Sequence, residues 1–102
     1  MSTFHLMIMT PERLFLDADV EALNITTTDG RLEVLKGHAP ITAPLSIGEL
    51  DVLIDGQWKR AFQSEGFLEA NSESVFVFAQ ACEWPEDIDA RRAEEAEHRI
   101  KE

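Results

Sequence analysis

Two Asp-Gly pairs, Asp29-Gly30 and Asp55-Gly56, each separate runs in which apolar and polar residues alternate. Such a pair favours a two-residue hairpin, because both central positions of that turn need positive φ. Before the first pair, Leu23, Ile25 and Thr27 share one face; Leu32 and Val34 continue beyond it. Before the second, Leu50, Val52 and Ile54 share a face. After it, Trp58, Arg60 and Phe62 alternate with Lys59, Ala61 and Gln63. A period of two is the signature of strands with one face in a core. Links this short predict antiparallel pairing throughout.

The same period appears at the start, where Phe4, Leu6 and Ile8 alternate with His5 and Met7. A third hairpin is predicted in GFLEANSESVFVFAQ, with Asn71-Ser72-Glu73-Ser74 as its turn. In the return strand Val75 and Val77 face one way, Phe76 and Phe78 the other. A strand apolar on both faces is central, or is covered by a second sheet or a partner. Short strands with turn signals roughly every 8 to 12 residues predict a sandwich or flattened barrel.

The pattern changes at Pro85. The stretch WPEDIDARRAEEAEHRIKE is rich in helix formers, with Asp87 as candidate N-cap and Asp89 suited to the positive end of the helix dipole. Glu94–His98, Glu95–Arg99 and Glu97–Lys101 stand in the favourable acid-first spacing. The apolar stripe is thin: Ile88, Ala93, Ala96 and Ile100. A helix burying so little is half of a helical hairpin or needs a partner.

The chain of 102 residues has a formal net charge of −11, so free nucleic acid and anionic lipid are poor partners for most of its surface. A basic protein partner, or plain solubility, fits better, and the acidic balance alone does not choose between them. The start has no signal-peptide pattern and no run is long enough for a membrane helix, which makes a cytoplasmic home the expectation. The single cysteine, Cys82, allows no internal disulfide and no cysteine-based metal cluster. His5, His38 and His98 are isolated, without metal-ligand spacing. The sequence SEGF lacks the preceding glycine of a nucleophile elbow, and the five glycines sit singly, with no phosphate-binding loop. Catalysis by this chain, a bound metal and a resident cofactor are therefore not expected. Arg91-Arg92 is the densest basic feature, read either as a solvated pair or as an anion contact.

Taken in order, GRLEVLKGHAPITAPLSIGELDV after a hairpin, EGFLEANSESVFVFAQ further on, and DIDARRAEEAEHR opening a helix carry a resemblance. The chain resembles the epsilon subunit family of F-type ATP synthases, called delta in mitochondria. The resemblance implies a mainly β fold: a ten-stranded antiparallel β-sandwich over residues 1–84, then a C-terminal helix over 85–102, the first of the family's two. It implies a non-catalytic rotor subunit of the central stalk. Its partners would be the gamma subunit and the membrane c-ring, and its role coupling ion-driven rotation to ATP synthesis or hydrolysis. Its place would be the cytoplasmic face of the bacterial inner membrane, held there through the c-ring without lipid insertion. By resemblance Gly37, His38, Ala39, Pro40 and Thr42 form the c-ring end, with Arg31 beside them. An alternative role is a nucleotide-sensing module, in which Glu83, Ile88, Asp89, Arg92 and Ala93 would contact ATP. The chain ends at Glu102 without the family's second helix, so ATP binding is expected to be weak or absent. Arg31, Glu33 and Glu65 depart from the residues common at their positions.

Overall fold

A computed structural model of the protein describes residues 2–88. Ten strands follow one another: β1 (Phe4–Met9), β2 (Leu14–Val20), β3 (Ala22–Thr27), β4 (Gly30–Val34), β5 (Ile41–Leu45), β6 (Gly48–Ile54), β7 (Gln57–Gln63), β8 (Gly66–Ala70), β9 (Ser74–Ala79) and β10 (Cys82–Glu83). They form one curled sheet in the order β10-β7-β6-β3-β5-β8-β9-β1-β2, with β4 added to β3. Strand β3 reaches β5 through a single pair, Thr27↔Leu45, and there the sheet folds over. Two layers result, β10-β7-β6-β3-β4 and β5-β8-β9-β1-β2.

The alternation places the core as expected. Leu6, Ile8, Val20, Leu23, Ile25, Val34, Leu50, Val52, Leu68 and Val77 are fully buried between the layers. On β7 the inward residues are Ala61 and Gln63, while Trp58, Arg60 and Phe62 face out. The buried Gln63 amide donates to the Thr26 and Ser46 carbonyls, both at 2.8 Å, and so ties β7 to β3 and to the β5–β6 link.

Three local expectations are corrected. First, pairing is not antiparallel throughout, because β1 pairs with β9 in parallel. Short links fix the direction of hairpin neighbours only. The chain between β1 and β9 is the rest of the sandwich, long enough for a parallel return. Second, the two Asp-Gly turns differ. Asp55 and Gly56 both have positive φ, 50° and 76°. In the other turn only Gly30 does, at 115°, and the register Thr27↔Gly30 leaves Thr28-Asp29 as the loop. The Thr27 hydroxyl explains the difference: it accepts from the Asp29 amide at 3.1 Å and donates to the Gly30 carbonyl at 2.8 Å. Third, helical backbone begins at 85, not after Asp87. The amides of Asp87 and Ile88 donate to the Trp84 carbonyl at 3.1 and 3.3 Å. Trp84 is thus the cap position, and Pro85 takes the first helical position, where its missing N–H costs nothing. The Trp84 ring stacks on Phe15 with centroids 4.7 Å apart, anchoring the exit of the chain on β2. The predicted ion pairs from Glu94 to Lys101 lie outside the described residues, as do His98, Arg91 and the apolar positions Ala93, Ala96 and Ile100.

Candidate docking surfaces

Strand register builds a surface that no single segment reveals. Across the outer face of the second layer, Pro44 pairs with Phe67, Phe67 with Phe78, Phe78 with Met9 and Met9 with Leu14. Five strands thus present one unbroken apolar row. The next row reads Thr42, Glu69, Phe76, Met7 and Asp17. The Phe67 ring lies 5.7 Å from that of Phe78 and 6.1 Å from that of Phe76, as in offset and tilted aromatic pairs. Phe67 is 39% exposed and Leu14 47%, while Met7, Met9, Phe76 and Phe78 are half-buried. An exposed apolar row on so acidic a chain makes this face a candidate interaction surface. The double-sided pattern of SVFVFA was its only local sign.

Polar groups close this face towards the β8–β9 turn. The His5 imidazole lies between two carboxylates, with Nε2 at 2.5 Å from Asp17 and Nδ1 at 3.2 Å from Asp19. Its pKa is raised, first by the hydrogen bond to Asp19 and further by Asp17, which together outweigh the opposing desolvation.

The Gly37-His38-Ala39-Pro40 turn sits beside the β8–β9 turn. The Gly37 amide donates to the Ser72 carbonyl at 3.1 Å, and the His38 amide to Leu35 at 3.1 Å. Gly37 has φ of 82°, a conformation that a side chain would strain. His38 Nδ1 lies 2.7 Å from the carbonyl of Ala39, so the ring is tied to its own turn. Ala39, Pro40 and Thr42 are exposed.

Arg31 is not beside this turn, which corrects the expected grouping. It opens β4 at the β3–β4 hairpin, whereas Gly37 follows the other end of that strand. Its guanidinium donates to Asp51 at 2.9 Å, to the Thr26 hydroxyl at 3.0 Å and to the Glu49 carbonyl. Arg60 grips the same carboxylate through Nε at 2.8 Å and also pairs with Glu49 at 3.1 Å. The Asp51 side chain is only 15% exposed. The Arg60 hydrogen bond, with smaller help from Arg31, holds its pKa below the ordinary 3.8. A lowered carboxylate pKa gives stability that is present above the unfolded value and lost as pH falls through the folded one. Asp51→Asn should therefore cost about 1 kcal/mol at pH 7. At a pH below the folded value the deficit should vanish. Urea unfolding midpoints at both pH values check this, and an equal deficit at each would contradict it.

Of the residues expected around a nucleotide, Glu83 ends β10 and Ile88 sits in the helical turn, while Asp89, Arg92 and Ala93 lie outside the described residues. Glu83 lines an open cleft of about 400 Å³ with Thr10, Arg13, Cys82 and Asp87. Burial pushes the Cys82 thiol up to about 12, so it is inert at neutral pH. Among the described residues no group of three or more His, Cys, Asp or Glu side chains is arranged to hold a metal.

The family model for the ATP synthase delta/epsilon chain β-sandwich domain matches residues 3–85. An ATP synthase epsilon chain from Caldanaerobacter subterraneus subsp. tengcongensis is 46% identical over 101 residues, covering 98% of this chain and 73% of its own. One from Alkaliphilus oremlandii is 43% identical, covering 98% and 75%. The fold matches a chain in Euglena gracilis mitochondrial ATP synthase (OSCP/F1/c-ring) with a TM-score of 0.81 and 24% identity. That match covers 99% of this chain and 65% of the other. A second structural match, in the central stalk and c-ring of Tetrahymena thermophila mitochondrial ATP synthase, has a TM-score of 0.68 and 11% identity. It covers 79% of this chain and 66% of the other.

Proposed function

The chain belongs to the delta/epsilon family of ATP synthase subunits, and from that premise we propose that it joins the gamma subunit to the c-ring of a rotary ATP synthase. It is a non-catalytic stalk subunit. In this role it passes torque and supplies no reacting group. The observation that carries the reading is the apolar row Pro44–Phe67–Phe78–Met9–Leu14. A subunit that turns with its partner needs a broad, dry, rigid contact. An apolar row built into five hydrogen-bonded strands offers one, and gamma is its occupant. Membrane association then follows from the c-ring, since no helix among the described residues is long and apolar enough to cross a bilayer. The test is co-purification with the gamma subunit of the same enzyme, with and without its c-ring. No affinity in either case would sink the reading.

The ring contact belongs to one end of the sandwich. The expected contact residues divide between the two ends, His38 at one and Arg31 at the other, so they are alternatives rather than one site. With His38→Cys and Arg31→Cys made separately, and cysteine placed in the polar c-ring loop, disulfide cross-linking is expected from one position alone. Cross-linking from both would overturn a one-ended stance.

A further inference from the structure

His5, Met7 and Met9 share the outer side of β1, so a titratable group stands in line with the apolar surface. Each ring nitrogen of His5 meets a carboxylate, Asp17 at 2.5 Å and Asp19 at 3.2 Å. Only the imidazolium can donate at both nitrogens; a neutral ring turns a lone pair towards one carboxylate. Asp17 is the carboxylate that matters for docking, because it ends the second row, paired in register with Met7 and next to the apolar Met7–Phe76 pair. A partner seated over Met7 and Phe76 takes water away from Asp17. Dehydrating a carboxylate is costly unless a cation remains beside it.

We infer that docking through this face takes up a proton, with His5 as the sensor and Asp17 as the group whose charge must be neutralised. The inference rests on the reading of this face as the gamma contact. The charged groups at the His5 ring are both carboxylates and act in the same direction. Strand β2 carries Asp17 and Asp19, and β9 places uncharged Ser74 opposite the ring. Glu73, in the turn before β9, accepts the His5 amide at its carbonyl. Below the raised His5 pKa the trio of His5, Asp17 and Asp19 has a net charge of −1; above it the charge is −2, and Asp17 enters the interface uncompensated. Affinity thus falls as pH rises through the His5 titration.

The test is the dissociation constant of the full chain for the gamma subunit between pH 6 and pH 8.5. Wild type should bind roughly tenfold more tightly at the acid end, the effect of one pKa unit of linkage. His5→Gln, which cannot titrate, should flatten the profile. Asp17→Asn should restore tight binding at high pH. The His5 imidazole, followed by NMR, should titrate higher in the complex than in the free chain. Binding by wild type that does not vary with pH, or a His5→Gln profile as steep as wild type, would overturn the inference alone. Absence of binding at every pH would overturn it together with the gamma reading.

Discussion

Gly66→Ala is expected to destabilise the domain by about 3 kcal/mol or more, the upper range for overpacking a close-fitted core. A Cβ built on Gly66 would lie 1.8 Å from the Phe78 carbonyl oxygen and 2.8 Å from the Cα of Ala79. Both obstacles are backbone, so no side chain can swing away. Gly66 pairs with Ala79 on one side and with Leu45 on the other, so neither neighbour can retreat without opening a ladder. The glycine is needed here for close approach of two strands, not for an unusual φ. The measurement is the unfolding free energy from urea titration by circular dichroism, and a value within about 0.5 kcal/mol of wild type would refute the account. The loss is set against a sequence context, Glu65-Gly66, in which only the second residue must lack a side chain.

Phe67→Glu is the complementary experiment, expected to leave the fold and remove the partner. Phe67 is the most exposed of the three phenylalanines on this face, at 39%, and lies between Pro44 and Phe78 in the row. A carboxylate there would remain in water in the free chain. In the proposed complex it would be buried against Phe76 and Phe78, neither of which supplies a cation. A central aromatic anchor is commonly worth 2 kcal/mol or more, so the affinity for gamma should fall roughly 30-fold at least. Thermal stability should change little. Titration calorimetry reads the first quantity and thermal melting the second. An unchanged affinity would move the gamma contact to another face, of which the exposed Trp58 and Phe62 on β7 are the nearest rival.

What could be read from the sequence was whatever repeats every two residues. Leu6, Ile8, Leu23, Ile25, Leu50 and Val52 are buried because alternation along one strand is a local property. The parallel β1–β9 pair was not legible, since no turn joins those strands. The place of Arg31 is hidden for a similar reason. Five extended residues of β4 lie between the hairpin and the Gly37 turn, about 3.3 Å for each, and carry the two groups to opposite ends. On β7 both alternating sets mix polar and apolar residues, and the burial of Ala61 and of the Gln63 amide, held by two carbonyls, shows which set faces the core. The apolar row draws one residue from each of five strands. Its members come together through register alone, and register is settled by the whole sheet.

The parallel seam between β1 and β9 also sets an order of events. Leu6 and Val75 are neighbours although nearly the whole sandwich lies between them in sequence. On the ribosome the first strand must wait, unpaired on that side, until the ninth has been made. Contacts of such long sequence separation form slowly. Phe78 and Met9 face each other across this seam, so the middle of the apolar row exists only once it has closed. An unfinished chain has no docking surface to offer. On the proposed reading of this row as the gamma contact, assembly then waits for chains synthesised and folded through β9.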